Sequence, residues 1–225
     1  MIEQNFLDAI GWPLFISLKV ASMATIISGF FALCAAFLIG RKRGAMPSLL
    51  DSLCTLPLVL PPTVIGYYLI VLLGRRGLFG PILNDLGINL IFTWEGAVAA
   101  ATVVIFPLIY KSARAALAQV DEKLENAART LGSGEARVFL AVSVPLASKG
   151  ILAGLVLAFA RGMGEFGATL MIAGNIPGKT QTLALAIYAA FQAGNDAKAT
   201  ALVIFTSILC VIILLCAEWL MGKRR

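Results

Sequence analysis

Five long apolar runs, separated by short polar segments, make up most of the chain. The runs cover about residues 13–40, 53–74, 91–110, 151–174 and 199–221. Each approaches or exceeds the roughly 20 residues that a helix needs to cross a bilayer. A soluble helical bundle would need polar faces at helical spacing, and the runs show almost none. The pattern therefore predicts an all-α polytopic membrane protein with about five transmembrane helices and a single transmembrane domain over residues 1–225.

Two shorter segments refine this prediction. Residues 182–191, TLALAIYAAF, are apolar but too few to span a bilayer, so a surface helix or a re-entrant helix is expected there. The N-terminal segment carries Glu3 and Asp8 and no basic residue, whereas a cleaved signal peptide has a basic start and a short apolar core. The first run is therefore expected to be a retained span.

The distribution of basic residues predicts the orientation, because cytoplasmic segments are enriched in Lys and Arg. Five spans place the termini on opposite sides. If the N-terminus is outside, the inner segments hold twelve basic residues: Arg41, Lys42, Arg43, Lys111, Arg114, Lys123, Arg129, Arg137, Lys149, Lys223, Arg224 and Arg225. The outer segments then hold four: Arg75, Arg76, Lys179 and Lys198. This asymmetry predicts a cytoplasmic C-terminus and accounts for the net charge of +6 without nucleic acid.

The residue inventory argues against an enzyme. The chain has no histidine, and it lacks the common nucleotide-binding, hydrolase and metalloprotease motifs. Its four cysteines, which form no CxxC pair, lie in or beside apolar runs and are expected to be small buried apolar residues. We therefore predict no catalytic residue and no metal site.

One long charged segment, residues 121–150, interrupts the apolar pattern. Asp121 can cap a helix whose first turn carries acidic residues, which favours a helix start there. The helix is expected to run to about Leu131 and to stop at 132–134, Gly-Ser-Gly. A second helix over about 135–144 should be broken by Pro145.

The spacing in this segment resembles the EAA loop of ABC importer permeases. It carries Ala127-Ala128, then Gly132, and an aliphatic-x-aliphatic-Pro ending at Pro145. The resemblance implies a coupling helix that docks on an ATPase subunit through Glu125, Asn126, Ala127, Ala128, Arg129, Gly132 and Pro145. The family glutamate usually stands directly before the two alanines. Asn126 occupies that position here and Glu125 stands one residue earlier, so both remain candidates.

Three blocks resemble the molybdate ABC transporter permease subunits: LENAARTLG at 124–132, the segment 56–80, and LAFARGMGEFGAT at 157–169. The resemblance implies a type I ABC importer permease that acts as a homodimer in the bacterial inner membrane. Its partners would be two cytoplasmic ATPase subunits, which use ATP and Mg, and an extracytoplasmic molybdate-binding protein. This chain would bind no cofactor. Molybdate, tungstate and sulfate all remain open as substrates.

The spans contain a few groups that suit a pathway or a subunit interface. Arg161 and Glu165 lie four residues apart in the fourth run, and charges at such depth usually face a bundle interior or an aqueous cavity. A self-satisfying structural pair is the alternative. Pro57, Pro61 and Pro62 predict a bent or interrupted second span.

Other residues near the pathway leave alternatives open. Gly162, Gly164 and Gly167 allow close helix approach, within one subunit or between two. Arg75 and Arg76 could meet a binding protein or an anion, or they could lie against lipid headgroups. A stand-alone channel or secondary transporter would explain the spans but not the spacing from Ala127 to Pro145.

Overall fold

The structure is a computed structural model that describes residues 2–40 and 44–222. Six of the basic residues used for the orientation lie outside the described residues: Arg41, Lys42, Arg43, Lys223, Arg224 and Arg225. The described part is helical and contains no strand. Its helices are α1 (Ile2–Ile39), α2 (Ala45–Val59), α3 (Pro62–Leu73), α4 (Gly80–Asp85), α5 (Trp94–Leu117), α6 (Glu122–Thr130), α7 (Glu135–Val138), α8 (Val144–Leu146), α9 (Ser148–Met163), α10 (Gly167–Ala173), α11 (Leu183–Gln192) and α12 (Asp196–Gly222).

The described residues contain three helices that are long and apolar enough to cross a membrane, and five spans if each of two bent helix pairs counts as one. The unbroken spans are Ile10–Ile39, Trp94–Leu117 and Asp196–Cys216. The all-α prediction with about five spans is confirmed. The short apolar segment is the helix α11. Its first backbone amide, at Leu183, donates to Ser17 Oγ of α1 at 2.8 Å, which holds that end against the bundle.

Helix α5 is the centre of the bundle and packs against α1, α9, α10 and α2. Its buried face is rich in alanine, and such small residues let neighbouring helices approach closely. The predicted third span, about 91–110, ended too early. The helix continues through Lys111 and Arg114 to Leu117, because residues 111–117, KSARAAL, are mostly good helix formers.

Lys19 lies in the first span and is paired with an aromatic ring. Its Nζ atom sits 3.3 Å from the centroid of the Trp94 ring, at the start of α5. A cation over an aromatic face is attracted by the ring quadrupole. The contact therefore offsets part of the cost of the charge and joins α1 to α5.

The second span is broken between α2 and α3, which meet at 113°. Pro61 precedes α3 and Pro62 begins it, where a missing N–H costs nothing. Pro57 lies inside α2 without ending it. The predicted interruption is confirmed, although α2 begins at Ala45, earlier than the expected residue 53.

The fourth predicted span, 151–174, is not one helix. α9 ends at Met163, residues 164–166 are non-helical, and α10 begins at Gly167. α10 packs closely on α3, the second helix of the bent pair α2–α3. A β-carbon added at Gly66 of α3 would lie 2.6 Å from Met171 Cβ, and one at Gly167 would lie 2.9 Å from Pro62 Cβ. Both glycines are therefore needed for this approach.

Candidate functional site

The charged segment forms the helix α6, a glycine turn and a second helical stretch. Asp121 caps α6, because its Oδ1 accepts a hydrogen bond from the Lys123 amide at 2.9 Å. Gly132 follows the helix with φ of +84°, a conformation that residues with a β-carbon rarely adopt. The predicted cap and stop are both confirmed.

Glu125 of α6 is fully buried, with no exposed surface. Ser143, itself 2% exposed, donates its hydroxyl to Glu125 Oε1 at 2.5 Å. A hydrogen bond to a buried carboxylate is among the stronger kinds in proteins. This bond therefore ties α6 to the second helical stretch. The side chain of Asn126, by contrast, lies on the exposed side.

Arg129 connects the parts of the turn. Its Nε and Nη2 atoms donate to the two carboxylate oxygens of Glu135 at 2.6 and 3.0 Å, and Nη1 donates to Asn126 Oδ1 at 2.8 Å. Nη2 also lies 3.7 Å from Glu125 Oε2. The Glu135 hydrogen bonds hold the pKa of the Arg129 guanidinium above its ordinary value. The turn between α6 and α7 is thus braced by one side chain.

Pro145 does not break the second stretch, so that prediction was wrong. A π-helical turn, Phe139–Ser143, precedes the proline, and its wider pattern includes a bond from the Val144 amide to Phe139 O. Such a turn accommodates the missing donor of proline within a continuous helical path. The bend comes later, at Ala147, where the stretch Glu135–Leu146 meets α9 at 76°.

An apolar strip on α6 was not predicted. Leu124, Ala127 and Leu131 are exposed and recur at i, i+3 and i+7, which places them on one helical face. Leu131 is 87% exposed. The signal was present in the sequence, since these residues and Ala128 are the apolar positions of a segment that is otherwise polar or charged. A strip of this kind is suited to packing against another protein.

A second polar cluster, also missed, joins α2 to α5. Asp51 accepts hydrogen bonds from Tyr110 Oη at 2.9 Å, from Lys111 Nζ at 3.0 Å and from Arg114 Nη1. None of the residues of α2 is buried, so this cluster is its main polar attachment. An isolated acid at the start of one span and basic residues at the end of the next could have suggested the contact.

The Arg161–Glu165 pair lies at the end of α9. Arg161 Nη1 is 2.9 Å from Glu165 Oε2, and Glu165 Oε1 accepts a bond from the Ala168 amide at 3.1 Å. The carboxylate therefore links the last turn of α9 to the first turn of α10. Glu165 is 2% exposed, whereas the Arg161 side chain is 41% exposed. Both residues were predicted, but their place at a helix break was not.

The remaining candidates lie apart from these groups. Gly162 is buried against Ala21 of α1, so it packs within the chain, while Gly164 is exposed. Arg75 and Arg76 are exposed after α3 and line a concavity of about 680 Å³ together with Asn89 and Phe92. Arg161 lies 13 residues after Ser148, or about 20 Å along α9. The structure thus separates the charged segment from the Arg161–Glu165 pair by most of the length of α9.

The fold and these two regions match a known transport family. The family model described as "Binding-protein-dependent transport system inner membrane component" matches residues 17–225. The chain belongs to this family of inner-membrane transport components.

Among the described residues of the permease, no group of three or more His, Cys, Asp or Glu residues could hold a metal ion.

Individual relatives indicate which members of this family the permease resembles. The permease is 49% identical over 207 residues to the molybdenum transport system permease protein ModB of Escherichia coli (strain K12), covering 91% of this chain and 90% of that one. It is 46% identical over 211 residues to ModB of Haemophilus influenzae, covering 93% and 92%. The resemblance to molybdenum transport permeases is therefore confirmed.

Solved structures show the same fold. A bacterial ABC transporter involved in the import of the acidic polysaccharide alginate matches with a TM-score of 0.76 at 14% identity, covering 94% of this chain and 78% of that one. The prediction of an ABC importer permease fold is confirmed by this similarity.

Proposed function

We propose that the chain is the membrane-spanning subunit of an ABC importer that carries a tetrahedral oxyanion, molybdate or tungstate, into the bacterial cytoplasm. The similarity to molybdenum transport permeases is the observation that carries this proposal. ATP is hydrolysed by a separate subunit that uses Mg, and the permease itself binds no cofactor. Transport proceeds by alternating access, with the N-terminus outside and the C-terminus in the cytoplasm.

The geometry of α6 supports the coupling role. Its exposed strip of Leu124, Ala127 and Leu131 enters a groove of the ATPase, where burial of each leucine contributes about 1.5–3 kcal/mol. Glu125 and Ser143 hold the helix from below, and Arg129 braces its turn. Because these contacts attach α6 to the stretch 135–146, a displacement of α6 moves that stretch and, through it, α9.

The number of coupling segments supports a homodimer. One chain carries one such segment and five spans, while ATPases of this class act as pairs. Two copies of the permease, two ATPase subunits and an extracytoplasmic binding protein complete the importer. Its place is the bacterial inner membrane.

The direct test is uptake by the reconstituted complex. The permease, its ATPase and its binding protein are placed in proteoliposomes, and labelled molybdate is measured with ATP and with a non-hydrolysable analogue. ATP-dependent uptake that excess sulfate leaves intact is expected. Equal inhibition by sulfate at similar concentrations would instead favour a sulfate importer, and uptake without the ATPase would contradict the ABC mechanism.

A variant tests the coupling surface. Leu131→Asp puts a charge in the exposed strip and should reduce ATPase binding while leaving the permease folded. Leu78→Asp, at a residue 72% exposed in the segment between α3 and α4, is the matched control and should bind the ATPase normally. Normal binding by the Leu131→Asp variant would contradict the coupling role of α6.

A further inference from the structure

Arg161 is presented on an exposed stripe of α9. Leu157, Arg161 and Gly164 recur at i, i+4 and i+7 and are all exposed, while Ala158 and Gly162 beside them are buried. The guanidinium therefore faces away from the packed bundle of its own chain. It does so about 20 Å along a membrane-spanning helix.

The buried carboxylate of Glu165 forms an ion pair with this guanidinium. One carboxylate oxygen pairs with Arg161 Nη1 and the other accepts the Ala168 amide, so both oxygens are engaged and the carboxylate is 2% exposed. Within residues 2–40 and 44–222, Glu165 is the only ion-pair partner of Arg161. An ion approaching this stripe meets the donors of the guanidinium and not the carboxylate.

A lipid-facing position does not suit this arrangement. Charged side chains within a span are costly and almost always face a bundle interior or a water-filled cavity. The non-helical backbone at 164–166 imposes the same condition, because irregular backbone at membrane depth is tolerated only inside protein or beside an aqueous space. Both conditions exclude a lipid-facing position, and they are met either by a second copy of the chain or by an aqueous path between two copies.

We propose that Arg161 contacts the tetrahedral oxyanion during its passage and that Glu165 is the residue that positions it. This inference rests on the proposed function. The planar guanidinium donates in pairs to oxyanions, and two copies of the chain supply two such groups for a dianion. Glu165 offsets the charge of each cation, so the anion is held weakly and leaves again.

The test uses a cysteine one turn away, so that Arg161 itself stays in place. In a functional background with the four native cysteines replaced by alanine, Leu157→Cys is treated with a cationic and an anionic methanethiosulfonate in the assembled importer. Both reagents should react, the anionic one faster, and molybdate should slow the reaction. Ile208→Cys, on an exposed apolar face of α12, should stay unmodified.

Changes at the pair separate a transport role from a structural one. Arg161→Gln should abolish the protection by molybdate and the preference for the anionic reagent, and should lower uptake roughly 10- to 100-fold, as expected for one hydrogen bond to a charged group. Arg161→Lys should keep part of both. Glu165→Gln leaves the cation uncompensated, so protection should appear at lower molybdate concentrations.

Two outcomes would overturn the proposal. One is an unreactive Leu157→Cys, which would place the stripe against lipid or protein. The other is equal molybdate protection before and after Arg161→Gln. If the unmodified importer takes up no molybdate, the proposed function is wrong. The labelling of Leu157→Cys reports separately on whether the stripe is accessible to water.

Discussion

Among the described residues, two buried glutamates are each paired with an arginine four residues away, in two different settings. Glu125 and Arg129 lie in the charged surface segment, whereas Arg161 and Glu165 lie in a broken span. In both pairs the carboxylate is almost inaccessible and also bonds to a second element: Ser143 in the first case and the Ala168 amide in the second. Each glutamate therefore joins two helical pieces.

The arginines differ more than the glutamates. Arg129 is also bound to Glu135 and Asn126, so its donors are used in bracing a turn. Arg161 is bound to Glu165 alone within the described residues. The same Glu–Arg spacing therefore stabilises a turn in the first region. In the second region it leaves the guanidinium with donors that can bind an anion.

The largest expected effect follows from breaking the intramembrane pair. Glu165→Ala empties a buried side-chain site and leaves the Ala168 amide without its acceptor, which should together destabilise the fold by about 3–5 kcal/mol. Thermal unfolding of the purified permease would measure this. Asp85→Ala, at an exposed acid of α4, is the control and should change little. Equal melting of the two variants would contradict the linking role of Glu165.

The equivalent change in the surface segment should be smaller and local. Ser143→Ala removes one hydrogen-bond donor to the buried Glu125 carboxylate, and the loss of such a bond to a charged group costs about 1–3 kcal/mol. Amide hydrogen exchange in α6 should accelerate by roughly 5- to 150-fold. Ser148→Ala, at an exposed serine, should leave it unchanged. A global loss of protection would contradict the local role of the bond.

The turn after α6 depends on backbone conformation and not on space. A β-carbon at Gly132 or Gly134 would meet nothing within 4 Å, but only Gly132 has a positive φ, of +84°. Gly132→Ala should therefore destabilise this turn conformation by about 1–2 kcal/mol. Gly134→Ala should be nearly neutral. ATPase binding by the two variants measures the difference, and similar losses would show that the turn is not conformationally restricted.

The smallest effect is expected at Asn126. Its amide lies on the surface and contacts Arg129 alone among the described residues. Asn126→Glu restores the usual family residue and should change stability by no more than about 0.5 kcal/mol. ATP-dependent uptake should also persist. A large loss of uptake would show that an acid at this position interferes with docking.

Much of this architecture could be predicted from the sequence. Apolar run length gave the spans, Asp121 marked a helix start, and paired prolines marked the first break. These features depend on neighbouring residues. The second break was missed although Gly162, Gly164 and Gly167 are poor helix formers, because the run is long and apolar enough for a single span. The break is held by the bond from the Ala168 amide to the side chain of Glu165, which a sequence pattern does not show.

Contacts between distant segments could not be predicted. The bond from Ser143 to Glu125 and the cluster around Asp51 join residues 18 and about 60 positions apart. A sequence pattern shows that such residues are polar but not which of them meet. The effect of Pro145 was misjudged for a related reason, since a π-helical turn absorbed the missing donor.

The close contact of Gly66 with Met171 and of Gly167 with Pro62 limits how the protomer can deform. The helices α3 and α10 therefore pack as one unit, which is joined to α2 at residues 60–61 and to α9 at residues 164–166. A displacement of either helix that preserves this contact must carry the other helix with it. The protomer then has one unit that can move about these joints, where two interrupted helices would suggest two.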